Sequence, residues 1–394
     1  MNKLDLNLEK NILEYFDKCK KLADYLTANP ETGLDTPIAI NAYKKFFEEE
    51  GFEFIQPYKN VQGSFLVRKK NSEHLSNKKV CLMAEYDALD KVGHACGHSI
   101  SGASSALAFL ALCKAYPQLE LNVELMGTPG EEFPGGKVLL SDNSAFDNYE
   151  FAAMAHMYSG NYSGFNVLAC NDRLITFTGK SSHASAAPQD GINALNAARI
   201  YMDAMDMWRQ HLPEKAQFHG VVVNGGVLPS MVPDKVDLSF YFRAKNLKEL
   251  DRLCEISENC CKAAALATDC TYTSTQEYLT YADLSNVDEA LSVISDIFDL
   301  MGEEYTYSKI AQGSTDAGNV DYKIPVFHPL VNISDGRIIP LHSVEFEELM
   351  HLENASKAMI NSATLLGNLV LFLDRDKERL ATIKKQHSEA RKTK

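Results

Sequence analysis

Between residues 64 and 155, short apolar runs alternate with stretches of helical periodicity, and this alternation restricts the fold more than any other feature. Runs at 64–67, 79–84, 122–127 and 151–155 have the length of buried strands, and residues 100–115 place a helix between the second and third. Buried strands alternating with helices predict an α/β domain with a largely parallel or mixed sheet. In such sheets functional groups gather in the loops that follow strand ends. Upstream, Leu8, Ile12, Tyr15, Phe16, Leu22 and Tyr25 recur at helical spacing and predict a helix over 8–27. A second helix over 36–49 is stopped by Gly51.

The rhythm changes near Asn171. Strands over 173–179, 218–224, 235–243 and 270–278 are interrupted by helices over 191–210 and 247–267. That order, βαββαβ, is the split ferredoxin-like pattern and makes a complete small domain, here inserted into a larger one. A helix over 287–301, a Gly/Ser/Asp-rich loop over 312–319, a strand over 326–331 and a long helix over 346–373 then resume the first domain. The expected division is 1–170 and 284–394 for the larger α/β domain, with 171–283 as the insert. The charged tail over 374–394 reads as a frayed, solvated helix end.

A length of 394 residues exceeds what one hydrophobic core usually organises, which agrees with two domains. The formal net charge of -14, with no arginine-rich or aromatic-interleaved basic stretch, disfavours nucleic-acid binding. Nine cysteines without framework spacing fit reduced thiols in the cytoplasm. The N-terminus lacks the apolar core of a signal peptide, and the apolar stretches 105–113 and 369–373 are too short to span a bilayer. No membrane partner is expected.

Candidate chemistry sits in the predicted strand-end loops. Cys96 and His98 lie two apart on a glycine-containing turn, and both side chains bind borderline-soft divalent metals. Glu131 and Glu132 follow in Thr128-Pro129-Gly130-Glu131-Glu132-Phe133-Pro134-Gly135-Gly136, where prolines and glycines break regular structure. One carboxylate of such a pair can bind metal while the other serves as general base. Taken singly, Cys96 reads as well as a buried structural cysteine, and the acidic pair as a solvated turn. His156 and His342 gain weight only from this company.

The motifs Ala84-Glu85-Tyr86-Asp87-Ala88-Leu89, Gly93-His94-Ala95-Cys96-Gly97-His98 and Gly130-Glu131-Glu132 occur in that order. Phe177-Thr178-Gly179-Lys180-Ser181-Ser182-His183-Ala184, Asn224-Gly225-Gly226, Tyr241-Phe242-Arg243-Ala244, Ser314-Thr315-Asp316 and His328-Pro329 follow. Together they resemble the metallopeptidase family of aminoacylases, glutamate carboxypeptidase and carnosinase-like dipeptidases, specifically its amidohydrolase subfamily. That subfamily includes p-aminobenzoyl-glutamate hydrolases, auxin-conjugate hydrolases and β-alanyl-lysine dipeptidase-like proteins. The resemblance runs from about Asn29 to the C-terminal helix. It implies a zinc-peptidase-like α/β domain with an inserted lid and dimerisation domain.

On matching positions it implies Cys96, His98, Glu132, His156 and His342 as metal ligands, with Cys96 bridging, and Glu131 as general base. Asp87 would orient a ligand, although its alternative as a turn cap is nearly as good. His183 would stabilise the tetrahedral oxyanion, in dimeric relatives usually across the dimer; otherwise it caps a turn. Asn224, Arg243 and Ser314, with Thr315, would position substrate, against alternatives as turn residues and a surface ion pair. Two divalent ions in each protomer are implied, zinc or manganese first, then cobalt or nickel. A homodimer acting on a small amide or dipeptide follows. Two departures stand out: Ser99 replaces the Asp or Asn common after Cys-Gly-His, and Asp35-Thr36 replaces an acidic pair.

The reaction implied is hydrolysis of a dipeptide or N-acyl amino acid by a water activated between two metals. A cysteine hydrolase with Cys96 as nucleophile and His98 or His94 as base, and a non-catalytic, metal-stabilised binding protein, are the competing expectations.

Overall fold

A computed structural model describes residues 3–70, 78–308 and 313–392. The chain forms two compact units, Met1–Asn166 with Leu284–Thr393, and Val167–Asp283. The first unit begins with α1 (Leu6–Ala28), α2 (Pro37–Glu49), β1 (Glu53–Ile55), β2 (Phe65–Arg68), β3 (Lys79–Ala84) and α3 (His98–Ala115). It continues through β4 (Asn122–Gly127), α4 (Gly136–Asp142), β5 (Tyr149–Ala153), β6 (His156–Tyr158) and β7 (Tyr162–Phe165). The second unit is β8 (Ala169–Thr178), α5 (Ala194–Trp208), β9 (Gln217–Asn224), β10 (Lys235–Ala244), α6 (Leu247–Thr268) and β11 (Thr271–Thr275). The chain then returns with α7 (Asp288–Met301), β12 (Thr306–Ser308), α8 (Ala317–Asp321), β13 (Val326–Phe327) and β14 (Leu330–Asn332). Helices α9 (Val344–Glu348), α10 (Glu353–Arg375) and α11 (Lys377–Lys392) close it.

The main sheet has six strands in the order β1-β2-β4-β3-β5-β13. Strands β4, β3, β5 and β13 run parallel, and β2 joins antiparallel, so the sheet is mixed. β3 is built from Val80, Cys81, Leu82, Met83 and Ala84, all fully buried, because helices cover a parallel sheet on both faces. α3 packs against β3, β4, α1 and α10. Nearly every residue of α3 is buried, as expected of a helix with no polar face. Truncating a core side chain such as Phe109 to alanine there costs about 3–5 kcal/mol. A small four-stranded sheet, β12-β7-β14-β6, continues from the main sheet through the short gap between β5 and β6.

The second unit is an antiparallel sheet in the order β11-β8-β10-β9, with α5 and α6 packed on it, the arrangement of the split ferredoxin-like pattern. Its strands alternate: in β10, Val236, Leu238, Phe240, Phe242 and Ala244 face the helices and their neighbours face away. The edge strand β9 exposes Val221, Val222 and Val223 at 64%, 49% and 60%.

Three expectations are corrected. The strand over 326–331 is two strands, β13 and β14, in different sheets, because His328-Pro329 breaks the ladder between them. The long helix over 346–373 is divided into α9, a short 3-10 turn and α10. The tail does not fray up to Lys392: α11 buries Leu380, Ile383 and His387, and Arg379 pairs with Glu289 and Asp296 of α7. The predicted loop over 312–319 is described from Gly313 onward. α10 is long and apolar enough to cross a membrane, but 78% of its apolar window is buried inside the protein, the position of a core helix.

Candidate metal centre

The turn that carries Cys96 and His98 is forced by Gly97. Its φ of 83° is left-handed, and a Cβ there would meet the Met157 Cβ at 2.6 Å. The turn opens α3, so His98 is the helix's first residue and fully buried. The acidic loop closes on itself in the same way, since a Cβ on Gly136 would meet the Pro129 carbonyl at 1.8 Å. His156 opens β6, and His342 takes a left-handed φ of 64°, with its N–H donating to the Ala95 carbonyl at 3.0 Å. A non-glycine residue held there marks a constrained position.

Hydrogen bonds set the direction of both buried imidazoles. His98 Nδ1 donates to the Asp87 carbonyl at 3.0 Å, and His156 Nδ1 donates to the Met157 carbonyl at 2.8 Å. A carbonyl only accepts, so each Nδ1 carries the proton and each Nε2 presents a lone pair. His156 Nε2 lies 3.5 Å from Cys96 Sγ, and His98 Nε2 lies 4.0 Å from Glu131 Oε2. Glu132 Oε1 faces His342 Nε2 at 3.4 Å. Asp87 joins the loops, because its Oδ2 also accepts the Glu132 N–H at 3.0 Å.

Among the described residues, three of the four sets of donor atoms that lie within 4.8 Å of one another are Cys96, His98 and His156; Cys96, Glu132 and His342; and His98, Glu131 and Glu132. Cys96 belongs to two of them. Glu85 Oε2, Asp87 Oδ1, His98 Nε2 and Glu132 Oε1 are buried without a hydrogen-bond partner among the described residues. Buried electron-rich atoms left unpaired are costly, and a divalent cation is the partner that satisfies several at once. The donor set therefore fits a metal pair.

Electrostatics separate the carboxylates. Burial, then the charges of Glu132, Glu85 and Asp316, push Glu131 well above the usual carboxylate range. Burial also opposes charge on Glu132, but the contact with His342 and the charge of His98 outweigh it and hold the group low. Burial, then the Glu132 charge, pushes the Cys96 thiol up.

Ser99 accepts from Thr27 Oγ1 at 2.8 Å, and the helix α2 N-terminus is capped by Glu31, which accepts from Ile38 and Ala39. Ser314 lies in the first unit, one residue before Thr315, whose Oγ1 accepts the Ala317 N–H at 3.3 Å. In the second unit His183 is exposed and its Nδ1 accepts the Ala186 N–H at 3.2 Å, a turn-capping geometry. Asn224 accepts the Gly226 N–H at 3.2 Å and donates to Asp237 at 3.4 Å. Arg243 lies on β10, its guanidinium 6.0 Å from the Tyr241 ring. Glu85, Lys137, Asp316 and His328 carried no role in the sequence. His328 is buried, lies 5.9 Å from the His156 ring, and has no partner at either nitrogen among the described residues. Only the placement of His328 directly before a proline set it apart.

A mixed-sheet α/β domain whose strand ends gather a thiol, imidazoles and paired carboxylates around unpartnered atoms defines a metallohydrolase framework. Residues 173–269 match the peptidase dimerisation domain of the M20 family. Over 376 residues the chain is 30% identical to the mouse Xaa-Arg dipeptidase, covering 92% of this chain and 87% of that protein. It is 25% identical to one of the polypeptides of the Escherichia coli p-aminobenzoyl-glutamate hydrolase over 64% of this chain and 56% of that one. The fold is that of the Bacillus subtilis YXEP protein, described as a dinuclear metal-binding peptidase of the M20 family (TM-score 0.64, 16% identity, 89% of this chain and 99% of that one). It is also that of the aminopeptidase PepT of Bacillus cereus (TM-score 0.62, 15% identity, 92% and 99% covered). The chain belongs to the M20 peptidase family.

Proposed function

We propose that this chain is a metal-dependent amide hydrolase acting on dipeptides or N-acyl amino acids. The observation that carries the proposal is the convergence of Cys96, His98, Glu132, His156 and His342 beside Glu131, with His98 Nε2 and Glu132 Oε1 left unpartnered among the described residues. These five residues are the proposed ligands. Membership of Cys96 in two donor sets supports a bridging thiolate. Divalent ions, when held by these residues, would supply Lewis acidity and would lower the pKa of water from 15.7 towards about 7. Glu131 takes the proton of the attacking water at its carboxylate and returns it to the leaving amide nitrogen. Asp87 holds the His98 tautomer and the Glu132 backbone in place. Thiolate and imidazole donors favour zinc, and the carboxylates keep manganese, cobalt and nickel in the set to test.

The match to a dimerisation domain, with the exposed valines of β9, supports a homodimer through the second unit. In that assembly His183 serves as the oxyanion donor, and Asn224, Arg243 and Ser314 position the substrate carboxylate, for which an arginine fork is suited. The similarity to Xaa-Arg dipeptidases makes dipeptides ending in arginine the first substrates to test, ahead of p-aminobenzoyl-glutamate. Nine free thiols support a cytoplasmic setting.

The deciding experiment strips the purified protein with chelator, reloads it with zinc, manganese, cobalt or nickel, and assays dipeptides and N-acyl amino acids. Activity lost on chelation and restored by one of these metals is the expected result. Hydrolysis indifferent to chelation would transfer the chemistry to Cys96. Absence of turnover under full metal loading would leave a binding protein.

A further inference from the structure

Three buried charged side chains lie against the centre and are not among its five ligands. Lys137, in α4, is fully buried, and its Nζ donates to Glu85 Oε1 at 2.5 Å and to Asp316 Oδ1 at 2.6 Å. Its backbone N–H donates to the second Asp316 oxygen at 2.8 Å. Glu85 and Asp316 are both fully buried as well. The arrangement divides the two oxygens of Glu85. One accepts from Lys137, while the other, which has no hydrogen-bond partner among the described residues, faces His98 Nε2 at 3.4 Å.

Glu85, Glu131 and Asp316 also offer oxygens within 4.8 Å of one another, a triangle of the kind that holds a cation. The ammonium of Lys137 is the cation beside two of its corners. A buried ion pair is weak support for a fold, because desolvation consumes much of its Coulomb energy, yet an uncompensated carboxylate is strongly unfavourable. One lysine between two carboxylates therefore commits the protein to a fixed geometry. It joins the segment after β3, the loop of Glu131 and Glu132, and the 313–316 segment, which are remote in sequence.

We infer that Lys137 is the positioning residue of the metal centre: its ammonium sets Glu85 against the ligand nitrogen of His98 and locks the 313–316 segment to the loop of Glu131. The inference rests on the metal-dependent function proposed above. Lys137 is too deeply buried to touch substrate, so it acts through Glu85 and Asp316. The negative charge delivered beside His98 strengthens the hold of that side on a cation, in the way outer carboxylates support ligating histidines.

The test compares Lys137→Met, Glu85→Gln and the neutral triple variant Glu85→Gln/Lys137→Met/Asp316→Asn with wild type. Melting temperature, metal affinity by competition with a chromophoric chelator, kcat and KM are measured on each. Lys137→Met and Glu85→Gln are expected to lose about 10- to 100-fold in metal affinity or in kcat at saturating metal, with KM changed far less. The neutral triple variant is expected to regain melting temperature without regaining metal affinity or kcat. Wild-type affinity and kcat in Lys137→Met overturn the inference, as does a triple variant that recovers both. Should Lys137→Met fail to fold, Glu85→Gln, which leaves Lys137 paired with Asp316, decides by the same readouts. Wild-type protein that turns over without metal would instead sink the function on which the inference rests, whatever the variants do.

Discussion

Glu131 and Glu132 are neighbours in sequence with different partners. Glu132 faces His342, while Glu131 Oε2 faces His98 among buried carboxylates. Glu131→Gln is therefore expected to retain its metal while kcat falls about 10²- to 10⁴-fold, the span of a lost general base. Elemental analysis beside steady-state kinetics checks both halves, and full activity would remove Glu131 from the mechanism. Cys96, His98 and the acidic pair were legible because each stands in a glycine-containing segment at a predicted strand end. Lys137 was not, since its carboxylate partners lie 52 and 179 positions away and no local periodicity links them. The unpartnered nitrogens of His328 were equally invisible, because burial without a partner is a property of the folded surroundings.

At the scale of elements, the α1 N-terminus depends on Asp5, which accepts from Asn7 and Leu8 backbone N–H groups and from Tyr116 and Arg375. Burial acts to raise its pKa, but the hydrogen bonds from Tyr116, Arg375 and Leu8 outweigh it and hold the carboxyl below its ordinary value. A carboxylate depressed in the folded state stabilises the protein above its unfolded-state pKa of about 4, and that contribution is lost as pH falls through the folded value. Asp5→Ala is expected to cost about 0.5–2 kcal/mol at neutral pH from the cap alone. Asp5→Asn, which can still cap, is expected to lose less and to flatten the acid limb of stability below pH about 4. Denaturant titrations at a series of pH values test this, and a wild-type acid limb in Asp5→Asn would contradict it.

Helix α11 makes a second such case. Asp321, fully buried at the end of α8, accepts at its carboxylate from the Ser285 and Val326 backbones and from Arg391, and lies 3.2 Å from His387 Nε2, which is bonded to the Asp321 backbone carbonyl at 2.6 Å. Removing one partner of a buried charge cluster leaves the others unpaired, so Asp321→Ala is expected to cost about 3–5 kcal/mol. Chemical denaturation measures it, and a loss below about 1 kcal/mol would mean that solvent replaces these contacts. The long elements were legible because their periodicity spans several turns or strand repeats. β6, β7 and β12 were not, being three or four residues long, too short to establish a period. The docking of α11 was missed because its charge pattern also suits a solvated helix; its partners are Glu289, Asp296 and Asp321.

For the whole molecule, the property to test is the proposed homodimer. β9 is an edge strand with three consecutive exposed valines, a surface that soluble proteins usually protect. Lysine at Val221 and Val223 is expected to give a monomer in light scattering and to lower kcat, and an unchanged dimer would move the interface elsewhere. If His183 acts across the dimer, mixing inactive Glu131→Gln and His183→Ala variants would restore about a quarter of wild-type activity, because half the random dimers hold one complete site. No recovery after proven exchange of protomers would place His183 with its own chain's site or outside the chemistry.

Local periodicity and turn chemistry were sufficient for the order of helices and strands, the inserted βαββαβ unit, and the strand-end loops that carry Cys96, His98, Glu131 and Glu132, because those signals act over a few residues. Three-dimensional packing alone decided which imidazole nitrogen faces inward, which carboxylate is left unpartnered, and that one lysine from α4 binds Glu85 and Asp316 together. Those outcomes depend on burial and on distances between remote segments. Neither is encoded in any short window of the chain.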